Sequence, residues 1–518
     1  MKNLNNQIMM VLFLVVCSIL HAGQYTFTVQ GEKTFLNDQE IVVKGLRLSN
    51  ALISEAATEQ TIAHLDTFKY YGLNTISVFF MGSRFGDIKG YNEDASLNPV
   101  YADRMARIIK AADQRGMIVL VGCLYWSNSK AKWESWQQKD ANKAVANTVA
   151  WLKEYDFKNV FVDVDNEGMA HRGKGFDVGE LIRAGKKVNP ECVIASNYHG
   201  GPIPEEDLRI HFSEKISGKP YIESEGTPHN APGKYWGTYS KIEGYYNYIN
   251  IGVYTYEMKR NQIKVSKHHF DNGDGYMLAS TWLQCVEPYG PNQRPGGYGY
   301  KVDPGIRWWL EFVRDHYGPY IEPPLPGTKI YQEKNGVLCV EAENYDKKID
   351  RKPDGFENIH SWQINNDKKG YSGSGFVQIM PDEYCEGCDG PSSPRDASGA
   401  ELVWRIKVST PGTYYIWVRG MSMGGESNGC HIGVDGVLPY MGPGSNMSGF
   451  RPHHEWVWEN KFKPESQEPK IFLKEGDHTL HLWQRDDGFR CDKILLVKDN
   501  QYRPSDHGPN ESKMIIVE

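Results

Sequence analysis

The 518-residue chain has no long basic run, and its formal net charge is −7. That excludes the positive footprint of a protein built to grip nucleic acid or an anionic membrane. Cysteine is sparse: nine residues in all, one of them Cys17 in the N-terminal segment. The rest are too few for a disulfide scaffold. Cys385-Glu386-Gly387-Cys388 is spaced for a local loop disulfide, and a zinc site there lacks two further ligands nearby. No GxGxxG or P-loop follows the first apolar run, so a doubly wound cofactor-binding sheet has no support. Redox cofactors are not expected, and there is no internal repeat.

Long apolar runs are also scarce. The one present, Ile8 to Leu20, follows Lys2 and precedes small residues at Ala22 and Gly23. It is shorter than the roughly 20 residues a membrane helix needs. Residues 1–22 therefore read as a secretory signal peptide, and the expected location is secreted, periplasmic or cell-surface. Leu14-Val15-Val16-Cys17 leaves a lipoprotein reading open. No second candidate for a membrane span exists.

What is there is a foldable composition, 40% hydrophobic and 24% charged, with 14 Trp and 30 Tyr. The length calls for two or three domains. YTFTVQ and EIVVKGLRLS flank the turn-prone Leu36-Asn37-Asp38 and read as a hairpin. Eight short apolar runs then follow: 43–48, 75–80, 117–125, 159–165, 192–198, 208–213, 219–225 and 277–283. Helical periodicity appears at 59–70, 102–114, 143–154, 178–187 and 306–316. Strands buried on both faces read as continuous apolar stretches, so this alternation predicts an α/β fold, a parallel (β/α)8 barrel over residues 23–318. The Tyr-rich segment 229–275 is expected to wrap over the C-terminal face of the barrel.

GPYIEPPLPGTK marks a linker at 319–332. Beyond it, short strands with turn signals and almost no helical periodicity predict an all-β sandwich at 333–500. The tail, 501–518, has the material for one more strand in MIIVE.

Barrel active sites sit at the C-terminal ends of the strands, so the polar residues closing each run matter most. Run four ends Val164-Asp165-Asn166-Glu167-Gly168, and run seven reads Lys219-Pro220-Tyr221-Ile222-Glu223-Ser224-Glu225-Gly226. These endings resemble the clan A glycoside hydrolases, cellulase-like barrels with an Asn-Glu pair closing strand four and a Glu five residues beyond Lys-Pro in strand seven. The resemblance implies Glu167 as acid/base, Glu225 as nucleophile and Asn166 as partner of the sugar 2-hydroxyl. It departs from the family at Gly168 and Gly226, where the family often carries proline and an aromatic residue. Glu223 competes with Glu225, because strand alternation points both the same way. Arg84 stands where it would bond the nucleophile, and Trp282 where the clan carries a sugar-stacking ring. His199 and His211 are either site residues or buried, satisfied histidines. Tyr125 and Trp126 would wall a subsite.

In the second domain, Val340-Glu341-Ala342-Glu343-Asn344-Tyr345 and Asp487-Gly488-Phe489-Arg490-Cys491-Asp492-Lys493-Ile494 resemble the opening and closing strands of family 6 and 35 carbohydrate-binding modules. This implies a galactose-binding-like jelly roll with a structural calcium on Glu341, Glu343 and Asp492. Trp456 and Trp458 share a strand face and serve either as packing or as a sugar platform. The expectation is a monomeric, retaining glycosidase acting on a β-linked polysaccharide or oligosaccharide, with no cofactor for catalysis. A non-catalytic glycan-binding protein on a degenerate barrel and a polysaccharide lyase are the alternatives.

Overall fold

The computed structural model describes residues 23–82, 88–126, 132–224, 254–279, 297–298, 300, 305–351, 357–383, 399–425, 427–438, 446–462 and 468–518. The chain opens with a three-stranded meander, β1 (Phe27–Gln30), β2 (Lys33–Leu36) and β3 (Gln39–Ile41). The expected single hairpin is thus two. Asn37 and Asp38 both adopt positive φ, 47° and 63°, the conformation a two-residue turn needs and these side chains tolerate. Phe27 packs on Phe161, 5.2 Å between rings, which ties the meander to the barrel. The Asp113 carboxylate accepts the backbone N–H groups of Gly23, Gln24 and Tyr25 at 3.0–3.2 Å and anchors the chain's entry.

Eight parallel strands then close into a barrel: β4 (Lys44–Arg47), β5 (Thr75–Phe79), β6 (Ile118–Leu124), β7 (Val160–Asp165), β8 (Ile194–Ser196), β9 (Leu208–Ile210), β10 (Tyr221–Glu223) and β11 (Gly275–Leu278). Each falls within or against one of the eight apolar runs. Buried on both faces, such strands keep no solvated side to spend polar residues on. The surrounding helices are α1 (Glu55–Ala63), α2 (Leu65–Tyr70), α3 (Pro99–Asp113), α4 (Gln138–Glu154), α5 (Met169–Lys174), α6 (Val178–Val188), α7 (Tyr256–Asp271) and α8 (Arg307–Tyr317). Their starts are capped by side chains: Ser54 accepts from the Ala57 N–H, Asn98 from Val100, Asp177 from Glu180 and Thr255 from Met258. Helix α7 corrects one expectation. The second half of segment 229–275 is an ordinary crossover helix packed on β11 and α8; residues 225–253 lie outside the described residues.

The stretch assigned to a linker is packed rather than loose. The Tyr320 hydroxyl donates to the Gly116 carbonyl and Tyr25 to that of Pro323. Glu322 is held by Lys69 at 2.5 Å from the barrel and Arg405 at 3.3 Å from the second domain. Burial would raise its pKa, but these two cations outweigh burial and pull it down to about 2. Lys329–Gln332, the expected end of the linker, is already strand β12 of the sandwich.

The sandwich has two sheets. One contains β12, β14 (Lys347–Ile349), β17 (Glu401–Val408), β19 (Cys430–Val434), β22 (Gly476–Gln484) and β24 (Met514–Ile516). The other contains β13 (Val337–Glu341), β15 (Ser361–Asn365), β16 (Phe376–Met380), β18 (Gly412–Met421), β20 (Val457–Glu459), β21 (Lys470–Leu473) and β23 (Arg490–Val497). The tail strand β24 pairs antiparallel with β12, so 501–518 completes this domain. The core between the sheets includes Trp362, Trp404, Tyr414 and Phe489, all buried. Among the described residues, Cys123, Cys192, Cys339, Cys430 and Cys491 are free, buried thiols; Cys385 and Cys388 lie outside them. No described helix is long and apolar enough to cross a membrane.

Candidate active site

Parallel registers show which side chains enter the barrel. Phe79 pairs with Gly122, and Gly122 with Asp163, so these positions share one face. A Cβ on Gly122 would collide with the Phe79 ring, which is why the position is glycine. Asp163 and Asp165 project inward by the pleat's period of two.

Arg47, at the end of β4, is the centre of the mouth. It is fully buried, with its guanidinium 5.5 Å from the Phe79 ring centre and 5.6 Å from that of Tyr125. Its Nη2 donates to Asn166 Oδ1 at 2.5 Å. Asn197 Nδ2 donates to Asp163 at 2.9 Å and lies 3.4 Å from the same Asn166 oxygen. With its carbonyl oxygen so held, Asn166 turns its Nδ2 toward Glu167, 3.5 Å from Oε1.

The backbone aims Glu167. The chain leaves β7 through two left-handed residues, Glu167 at φ 54° and Gly168 at φ 61°. Such a conformation in a glutamate stores strain of the kind found at functional sites. The Asp165 carboxylate then accepts the N–H groups of Ala170 at 2.9 Å and His171 at 2.8 Å, starting α5 and locking the turn. A Cβ on Gly168 would sit 2.7 Å from the Tyr198 Cβ. Proline, with φ fixed near −65°, has no place there, which accounts for that departure from the clan pattern. Arg172 donates to the Glu167 carbonyl and lies over Phe212, whose ring is 4.3 Å from that of His199.

Burial dominates the acids beneath. It pushes Asp163 up to about 6, against the opposing pull of Asn197 and Arg47. It pushes Asp165 up to about 7, against its two backbone donors. Burial also lowers the His199 pKa, helped by the nearby Arg172 charge.

The other expected residues divide. Asn166, Glu167 and His199 meet at the mouth. Glu223 is fully buried and pairs in register with Tyr276, which faces Gln262 and Trp309 of the helical layer. Its carboxylate takes His211 Nδ1 and, at 3.1 Å, the Tyr221 hydroxyl. Glu223 and His211 thus form a buried pair on the outer face of the barrel wall, with His211 in a left-handed turn, φ 42°. Tyr125 lies against Arg47, 5.6 Å from its guanidinium. Trp126 packs on Trp136 and Phe176, 6.2 and 5.7 Å between ring centres. Arg84, Glu225 and Trp282 lie outside the described residues. Arg47, Asp163, Asp165 and Asn197 escaped sequence reasoning, although two aspartates alternating in the apolar VFVDVD are the pattern of lumen-facing positions.

In the sandwich, Glu341 takes Lys493 at 2.9 Å and the Ser372 hydroxyl at 2.6 Å, and Asp492 takes Arg419 at 2.5 Å. Glu343 accepts from the Ser374 and Gly375 amides. Internal cations therefore occupy two of the three carboxylates assigned to calcium, leaving Glu343 Oε2 as the buried oxygen without a hydrogen bond. One such oxygen falls short of the six to eight that calcium takes, and no group of three or more His, Cys, Asp or Glu among the described residues is arranged to hold a metal. Trp456 packs on Phe376 at 5.2 Å, and Trp458 donates to the Asp506 carbonyl over Gly508.

Residues 330–511 match the family described as Glycosyl hydrolase family 115 C-terminal domain. The chain is 29% identical over 217 residues to Uncharacterized protein P23 of Formosa agariphila, a match covering 36% of this chain and 50% of that protein. Among solved structures it is similar to a glycoside hydrolase family 5 protein from Bacteroides vulgatus, at 11% identity and a TM-score of 0.38. That alignment covers 89% of this chain and 94% of the other. A family 35 carbohydrate-binding module from Paenibacillus barcinonensis aligns at 16% identity and a TM-score of 0.22, over 31% of this chain and 99% of its own. The chain spans half the length of the curated relative that it matches.

Proposed function

We propose that the protein is an exported glycosidase that cleaves a polysaccharide with retention of configuration, using Glu167 as acid/base and Glu225 as nucleophile. The observation that carries this is the Asn166-Glu167 pair at a closed barrel's mouth, held by Arg47 and by a left-handed turn. The family match over 330–511 supports the same reading, as does the signal-like segment 1–22.

In this reading the Glu225 carboxylate attacks C1 as Glu167 gives its proton to the departing glycosidic oxygen. The sugar is left esterified to Glu225. Glu167, now ionised, takes a proton from water, whose oxygen attacks C1 and releases Glu225. Asn166 Nδ2 faces the space beside Glu167, where it meets the sugar 2-hydroxyl. Glu223, paired with His211 in the barrel wall, supports β10 from behind; β10 ends at Glu223, so the strand's alternation does not fix the face that Glu225 takes.

The test is Glu167→Gln and Glu225→Gln on a polysaccharide panel, with NMR of the first anomer released. Each variant is expected to lose roughly 10²–10⁴-fold in rate with an unchanged Tm. Full activity in either removes its carboxylate from the mechanism, an inverted first anomer removes the retaining step, and an unsaturated product makes the protein a lyase.

A further inference from the structure

The seam between barrel and sandwich encloses a cavity of about 410 Å³, within the roughly 300–1,000 Å³ typical of small-molecule sites. None of the residues at the barrel mouth lines it. Its walls come from α2, the start of α8, the packed strap at 319–322 and the outer face of the sandwich sheet containing β14, β17 and β22.

Charge is unevenly committed there. Four carboxylates line the cavity, and each already has a basic partner. Asp66 takes Arg115 at 2.9 Å, Glu322 takes Lys69, Glu401 takes Arg351 at 3.1 Å and His481 at 2.7 Å, and Asp435 takes His478 at 2.6 Å. Four cations also line it, and only Lys69 and Arg351 are matched in this way. Among the described residues, neither the Lys347 ammonium nor the Arg307 guanidinium has a hydrogen-bond or ion-pair partner; Arg307 lies over the Tyr298 ring, 4.8 Å from its centre, which holds the guanidinium at the cavity wall without neutralising its charge. Lys347 acts on Glu322 and Lys69 through its charge, so it stands beside a pair already neutralised. Partly buried cations without an anionic partner favour an anion.

Part of the remaining lining is aromatic. Tyr70, Tyr71 and Trp483 face the cavity, and Trp483 stacks on His481 at 5.0 Å with an interplanar angle of 9°. Flat rings beside hydrogen-bonding groups suit a ligand with one apolar face and a polar rim.

We infer that the seam cavity is a second glycan subsite that takes one anionic sugar residue, its carboxylate or sulfate compensated by Lys347 and Arg307. This goes beyond the proposed hydrolysis and holds whether or not Glu167 is catalytic. Because Lys347 belongs to the sandwich and Arg307 to the barrel, the bound acid sugar bridges the two domains.

Calorimetric titration of the full chain with D-glucuronate, D-glucose 6-sulfate and D-glucose tests it. At least one acid is expected to bind tenfold or more tightly than glucose, and which one does so tells carboxylate from sulfate. Lys347→Ala and Arg307→Ala are each expected to weaken that binding about tenfold or more. Lys347→Arg should retain it. Glu167→Gln should bind as wild type, which separates this site from the barrel mouth. The two alanine variants lie in different domains, so a folding defect in one leaves the other decisive. The inference is overturned if no acid binds better than glucose, if both alanine variants titrate like wild type, or if Glu167→Gln abolishes the binding.

Discussion

Asp163 offers a test of the site's electrostatics that does not depend on knowing the substrate. Burial moves its pKa from near 3.8 to about 6. An acid that holds its proton more tightly when folded contributes stability that is complete below the unfolded value, near pH 4. That contribution is lost as pH rises through the folded value, near pH 6. A difference of about two pH units corresponds to roughly 3 kcal/mol. Asp163→Asn removes the titration while keeping an oxygen for one of its two donors, Asn197 at 2.9 Å and the Asp165 N–H at 3.2 Å. The lost acceptor costs a pH-independent amount, about 1–2 kcal/mol. The informative quantity is therefore the stability gap between variant and wild type across pH. It should shift in the variant's favour by roughly 3 kcal/mol between about pH 4 and pH 7. Asp165 moves it the same way, because the Asp163 charge raises the pKa of Asp165. Urea unfolding followed by circular dichroism at several pH values measures the gap. A gap that stays flat within about 0.5 kcal/mol, or that shifts toward wild type, refutes the burial argument.

Three further outcomes follow from the same geometry. Gly168→Ala forces a Cβ against Tyr198 in a left-handed turn and should cost about 2 kcal/mol in urea unfolding, with activity lost as Glu167 is displaced; a wild-type midpoint would contradict this. Arg47→Met frees Asn166 and should lower kcat/KM roughly tenfold to a hundredfold, measured beside a Tm scan that shows the barrel still folds. Glu322→Gln leaves Lys69 and Arg405 facing each other without a carboxylate and should destabilise by about 3 kcal/mol, splitting the calorimetric transition into separate barrel and sandwich steps.

The barrel was legible because its eight strands have no solvated face, which turns each into an unbroken apolar word. Helix α7 was not. Its buried face carries Asn261, Gln262, Ser266 and His269 beside Met258, Val265 and Phe270, so the apolar period is diluted below recognition. The strap was misjudged for the opposite reason: proline and glycine signalled a loose joint, whereas Tyr320 and Glu322 bury it. At the site, Asn166 and Glu167 were readable as a dipeptide at a strand end. Arg47 was not, because a lone arginine closing an apolar run becomes meaningful only when the barrel closes and brings residues 119 positions apart within hydrogen-bond reach.

The packed strap fixes the distance between the two domains. A flexible joint would let the sandwich sample a cloud of positions, so that a captured chain would meet the barrel at a concentration set by linker length. With Glu322 clasped from both sides and β12 beginning at Lys329, the two bodies are set at a fixed spacing. Under the proposed hydrolysis, a polymer held by the sandwich would reach the mouth at that one spacing.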